Sequence, residues 1–177
     1  MPDLRTIPGV ELVKVGRWEV STGVFRVTKA DLRSAVEAHQ AGVLRKPVIK
    51  IGHDGDERDT DPALGYVDNL RLTDDGNTLV GDFVNIPAKL AALIPLAYPS
   101  RSIEGKVDYY QQSADRTWPL IIDAVALLGA TAPGISELKS LEAVGDLYGV
   151  AAAHSQAVAV AAAARRRRAN RLITTKG

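Results

Sequence analysis

The chain has no cysteine, and it has few aromatic residues: two Trp, two Phe and five Tyr in 177 residues. Without cysteine, a disulfide scaffold, a thiolate zinc site and a cysteine nucleophile are excluded, and a reducing cytosol is a compatible setting. The few aromatic residues are not interleaved with basic residues on any expected strand. This composition disfavours a stacking platform for single-stranded nucleic acid.

Long apolar runs are also missing. No uninterrupted apolar stretch is long enough to cross a membrane, and the first residues, "MPDLRTIPGV", lack the apolar core of a signal peptide. Positive and negative charges nearly cancel, with a formal net charge of +1, so the whole chain is not a polycation that seeks nucleic acid. The sequence therefore predicts a soluble protein without a membrane partner.

Hydrophobic residues make up 46% of the chain, which is enough for one domain with a real core. Periodicity predicts a mainly β (α+β) domain over residues 1–148, built as a closed or nearly closed, mainly antiparallel barrel. The expected elements are two short strands within Val10–Val27, a helix from Thr28 to Gly42, a strand over Pro47–His53, a hairpin turning at Asp75–Asn77, a short helix from Pro87, strands over Ser100–Tyr110 and Trp118–Gly129, and a helix from Ile135 to Tyr148.

Composition changes at Gly149, after which Ala, Val and Arg dominate. Residues 149–177 are therefore predicted to be a tail that is helical or disordered and lies outside the barrel. The block Arg165–Arg168 can contact DNA phosphates weakly, although such a charge run is more often a solvated surface.

Three histidines are present, and one of them follows an apolar run, in "VIKIGH". Period-two alternation puts Ile49, Ile51 and His53 on one face, which would bring the imidazole to the rim of the core. His39 falls on the apolar face of the first helix and is expected to be a partly buried packing residue. His154 lies in the tail.

A nucleophile and an acid are available on other strands. Ser102 begins the strand "SIEGKVDYY" and points away from its apolar face, but a serine is a weak nucleophile unless a base takes its proton. Asp123 lies inside the apolar run "LIIDAVALL", where a carboxylate needs a partner. That partner can be a histidine, as in a Ser/His/acid arrangement, or an Arg in a salt bridge. An aspartate placed at a strand bulge is a further alternative.

A metal site competes for the same region, because the loop "HDGDERDTD" carries several carboxylates. The loop lacks the glycine and terminal glutamate spacing of a helix-loop-helix calcium site, and one histidine with carboxylates falls short of the usual zinc sets. We interpret it as a solvated acidic loop and expect neither a metal nor another cofactor.

Four segments, in this order, resemble the phage prohead (capsid maturation) proteases, in particular the Mu-like protease I group, with a herpesvirus assemblin-like fold. They are the strand end "KIGHDG", the hairpin "ALGYVDNLRLTDDGNTLVGDF", the serine-bearing "AYPSRSIEG" and the acid-bearing "LIIDAVALLGATAPGI". The resemblance covers roughly residues 10–141, and the order and spacing of the segments carry it.

This resemblance implies a serine endopeptidase that processes scaffold and capsid proteins during phage head maturation. Ser102 matches the nucleophile better than Ser100, His53 matches the general base, and Asp123 is the implied third member. The peptide substrates would be the major capsid protein and the scaffold protein, inside the assembling prohead in the host cytoplasm. Self-association, for example as a dimer, is also expected.

The oxyanion and substrate-binding groups are expected beside the nucleophile, from the backbone around Ile103 and Glu104 with help from Arg101. Two other functions stay open. One is a non-catalytic capsid assembly or scaffold protein on the same fold, and the other is a nucleic-acid-binding barrel with a basic tail.

Overall fold

The computed structural model describes residues 2–53, 62–130 and 133–141, and within these ranges the chain forms eight strands and two α-helices. The elements are β1 (Leu4–Lys14), β2 (Gly16–Val20), β3 (Gly23–Val27), α1 (Lys29–Gln40), β4 (Val48–Ile51), β5 (Tyr66–Leu72), β6 (Thr78–Pro87), α2 (Ala88–Ala97), β7 (Ser100–Gln111) and β8 (Arg116–Leu128). The predicted α+β class, mostly strands with helices, is confirmed.

Six strands form one sheet in the order β1-β6-β5-β4-β8-β7, and β2 and β3 form a separate hairpin. Every pair in the larger sheet is antiparallel except β4 and β8, which run parallel. The edges are β1 and β7, and no hydrogen-bonded ladder joins them in the described ranges. The sheet is therefore open, and the prediction of a closed barrel is not supported.

The gap between the two edges is occupied by one side chain and by the C-terminal described segment. Arg101 on β7 donates from Nε to the carbonyl oxygen of Glu11 on β1, at 2.7 Å. The backbone N–H of Leu141 donates to the carbonyl of Pro99, at 3.0 Å, and the Leu141 side chain is fully buried. The Arg101 side chain thus links the two edges where no ladder does, and Leu141 is bonded to the residue just before β7.

Helix α1 begins and ends as the sequence predicts. The Thr28 hydroxyl accepts the N–H of Asp31, and the Asp31 carboxylate accepts the N–H of Thr28 at 2.7 Å, which forms a capping box. Gly42, with a φ of 64°, follows the C-terminal end. The helix packs on β8, where the Ser34 hydroxyl donates to the carbonyl of Leu120 at 3.1 Å.

Two predictions near the chain ends differ from the structure. Strand β1 begins at Leu4, before the region expected to contain the first strands. The helix expected to begin at Ile135 is absent over residues 135–140, which form bends and turns. The Lys139 N–H donates to the Glu11 carboxylate at 2.9 Å and its carbonyl accepts from Arg101, so tertiary contacts replace helical ones there. The acidic loop after His53 and the predicted tail lie outside the described residues.

Candidate active site

A cavity of about 440 Å³ lies beside strand β7. Five consecutive β7 residues, Arg101–Gly105, line it. Neighbouring side chains of a strand point to opposite faces, so a cavity that touches all five runs along the free edge of the strand. The other walls come from the β2–β3 hairpin, the strand end at His53 and the segment at residues 134–138, mainly through apolar side chains: Val20, Val24, Phe25, Ile135 and Leu138.

Ser102 is placed by the pairing of three strands. It lies opposite Ala126 of β8, and Lys50 of β4 lies opposite the same alanine from the other side. Residues that are directly opposite in a sheet share a face, so Lys50, Ala126 and Ser102 form one row across it. Ser102 is half-buried and lines the cavity.

His53 reaches the same cavity by a route that the sequence analysis did not predict. Strand β4 ends at Ile51, and Gly52 adopts a φ of 69° while its N–H donates to the carbonyl of Leu127. This left-handed residue ends the period-two alternation, so His53 does not simply continue the face of Ile49 and Ile51. Its side chain is 44% exposed.

The Glu104 side chain is the partner of His53. Nδ1 of His53 lies 2.7 Å from Oε1 of Glu104, and Nζ of Lys50 lies 2.9 Å from the same oxygen. Glu104 is two residues after Ser102 and therefore shares its face of β7. An ionised carboxylate only accepts hydrogen bonds, so in the neutral form of the ring Nδ1 carries the proton and Nε2 has the free lone pair.

Asp123, the predicted third member, occupies a different place. The register of β7 and β8 shifts between Glu104, opposite Ala124, and Gly105, opposite Ile122, which leaves Asp123 as the extra residue of a β-bulge. Its carboxylate lies 3.6 Å from Nζ of Lys106 and does not line the cavity. Asp123 thus lies at a strand bulge, one of the alternatives left open by the sequence, and its basic partner is a lysine.

Arg101, predicted to assist an oxyanion, is only 2% exposed. Its guanidinium donates to the backbone carbonyls of Glu11 and Lys139, and its Nη2 is buried without a hydrogen-bond partner within the described ranges. Burial lowers the pKa of Arg101 to about 10, against the opposing charge of Glu11. The guanidinium thus mainly joins β7 to β1 and to the segment at Lys139. Ile103 packs against the core and lines the cavity.

Sequence reasoning selected Ser102 and His53, which the structure brings to one cavity, and gave Glu104 only a backbone role. The signal for its side chain was present, because the spacing Ser102-x-Glu104 places both residues on one strand face. No hydrogen bond joins the Ser102 hydroxyl to His53 in the described part of the chain.

Within residues 2–53, 62–130 and 133–141 no group of three or more His, Asp or Glu residues could hold a metal ion. None of the helices in these ranges is long and apolar enough to cross a membrane.

His39 is a partly buried histidine of helix α1, as predicted, and its Nε2 lies 3.2 Å from the Asp68 carboxylate, which Lys46 also contacts. It is absent from the lining of the cavity.

Comparison with known proteins adds no relative: no family model, no curated protein and no solved structure matches this chain.

Proposed function

We propose that the protein is a serine endopeptidase, with Ser102 as nucleophile, His53 as general base and Glu104 as the acid that orients the histidine. One observation carries this proposal. The 2.7 Å pair between His53 and Glu104 lines the same cavity as Ser102. A base held by a carboxylate near a serine is the arrangement that activates a hydroxyl.

The reaction is acyl transfer. Nε2 of His53 takes the proton of the Ser102 hydroxyl while Oγ bonds to the substrate carbonyl carbon, and the same nitrogen then protonates the leaving amine. Water hydrolyses the acyl-enzyme by the reverse proton path. The hydroxyl and the ring are expected to close on each other when substrate fills the cavity, because catalytic hydrogen bonds often tighten only in the complex.

Glu104 replaces Asp123 in this mechanism on geometric grounds. The third group of such a site must accept a hydrogen bond from the histidine nitrogen that does not act as base. Glu104 meets this condition, whereas the Asp123 carboxylate faces Lys106 and is outside the cavity lining. We therefore give Asp123 no catalytic role and regard it as part of the β-bulge.

The free edge of β7 favours an extended peptide as substrate. An edge strand presents unpaired backbone N–H and C=O groups, which an added strand can pair with, and the apolar walls can hold alternate side chains of that strand. With the resemblance of the sequence segments to prohead proteases, we propose scaffold and capsid chains as the substrates.

A fluorophosphonate probe tests the proposal without knowledge of the substrate, because it phosphonylates activated serines and releases fluoride. The wild-type protein should gain one label, at Ser102, as read by intact mass and peptide mapping. Ser102→Ala should abolish the label, while the matched control Ser100→Ala should keep it. A protein that stays unlabelled, as a non-catalytic assembly protein would, overturns the proposal.

A further inference from the structure

Lys50 lies in the site but has no part in acyl transfer as described above. Its Nζ is 2.9 Å from Oε1 of Glu104, the oxygen that also accepts from His53. The strand register brings it there, because Lys50 and Ser102 lie on opposite sides of Ala126 in one row. Ala124 and Ala126 are small, so they leave room for the long side chains of Lys50 and Glu104 to meet above β8.

The Glu104 carboxylate needs such an anchor. A free glutamate side chain has several rotamers, and fixing it in one of them costs conformational entropy. The Glu104 side chain is 29% exposed, and within the described ranges its side-chain contacts are His53 and Lys50. Lys50 therefore holds the carboxylate in the position where His53 can bind it.

His53 depends on this arrangement in turn. It lies two residues beyond the end of β4, its side chain is 44% exposed, and its described side-chain hydrogen bond is the one to Glu104. If the carboxylate moved, the ring would lose its orientation, and the proton could reside on either nitrogen. The tautomer with a proton on Nε2 cannot act as base toward Ser102.

We infer that Lys50 is a positioning residue for the His53–Glu104 pair, which sets the tautomer and orientation of the base through the carboxylate. This inference rests on the proposed function for its effect on rate, but its effect on the His53 ring holds independently of any reaction. Because Lys50 touches neither the nucleophile nor the reacting atoms, it acts only through Glu104.

The test compares Lys50→Met, which removes the ammonium and keeps the stem, with Lys50→Arg. Lys46→Met is the matched control, because Lys46 contacts Asp68, which binds His39 in an equivalent lysine–carboxylate–histidine cluster away from the cavity. Nitrogen-15 NMR of the histidine rings in their neutral form reports the tautomer. Fluorophosphonate inactivation gives the maximal rate and the half-saturating concentration separately.

In Lys50→Met we expect a mixture of His53 tautomers and a maximal inactivation rate about 10- to 100-fold lower, with little change in half-saturating concentration. Lys50→Arg should keep the single His53 tautomer and the wild-type inactivation rate. Lys46→Met should change neither the tautomer of His53 nor the rate. An unchanged His53 spectrum in Lys50→Met would overturn the inference. The His53 spectrum tests the role of Lys50 even if Ser102 is never labelled. Absence of labelling would count against the proposed function alone.

Discussion

Nε of Arg101 on β7 lies 2.7 Å from the carbonyl oxygen of Glu11 on β1, so one buried side chain joins the two edges of the open sheet. The same guanidinium donates to the carbonyl of Lys139, whose own N–H binds the Glu11 carboxylate. Ser102 follows Arg101 directly in the strand. The position of the candidate nucleophile is therefore tied to the contact that holds β7 against β1.

Arg101→Met should lower the free energy of unfolding by about 2–4 kcal/mol, because the buried carbonyl oxygen of Glu11 and the partly buried one of Lys139 lose their donor. Urea denaturation measures this change. Arg26→Met is the control, since Arg26 is exposed on β3 and its replacement should stay within about 0.5 kcal/mol. Equal midpoints for the two variants would show that Arg101 does not join the edges.

The hydrogen-bonded Asp68 carboxylate should make the stability of the protein depend on pH in the acid range. The hydrogen bond from Lys46, helped by those from the Asn69 N–H and the His39 ring, lowers the pKa of Asp68 from 3.8 to about 2, although burial acts to raise it. A carboxyl whose pKa is lowered by folding stabilises the protein above its unfolded pKa, and this contribution is lost as pH falls through its folded pKa. The loss attributable to Asp68 should therefore fall between about pH 4 and pH 2.

Thermal denaturation across that range checks the assignment. Asp68→Asn should be less stable than the wild type at neutral pH and should lose less further stability on acidification. Asp74→Asn, in the turn before Gly76, is the control and should follow the wild-type curve. If Asp68→Asn instead runs parallel to the wild type down to the lowest pH, the Asp68 cluster does not contribute to acid sensitivity.

Local elements of this fold were predictable from sequence, and pairings between distant segments were not. Helix α1 and the hairpin at Asp75–Asn77 have caps and turn residues within a few positions of their boundaries. Strand β1 was missed at its start, where Pro8 and Gly9 interrupt the alternation. Whether the sheet closes into a barrel depends on whether its edge strands, β1 and β7, pair with each other. No local sequence pattern specifies that pairing.

The same distinction applies to the site. Ser102 and His53 were chosen from their strand positions, and both line the cavity. The role of Glu104 requires β4 and β7 to flank β8, a parallel and an antiparallel pairing that periodicity does not specify. Asp123 attracted attention as a carboxylate in an apolar run, but a bulge and Lys106 account for it.

The central claim, that the His53–Glu104 pair activates Ser102, is tested most directly by the fluorophosphonate labelling rate at Ser102 in Glu104→Gln and Asp123→Asn. The account predicts labelling in the wild type, a rate about 10³- to 10⁴-fold lower in Glu104→Gln, and a nearly unchanged rate in Asp123→Asn. Labelling that survives in Glu104→Gln but is lost in Asp123→Asn would contradict it.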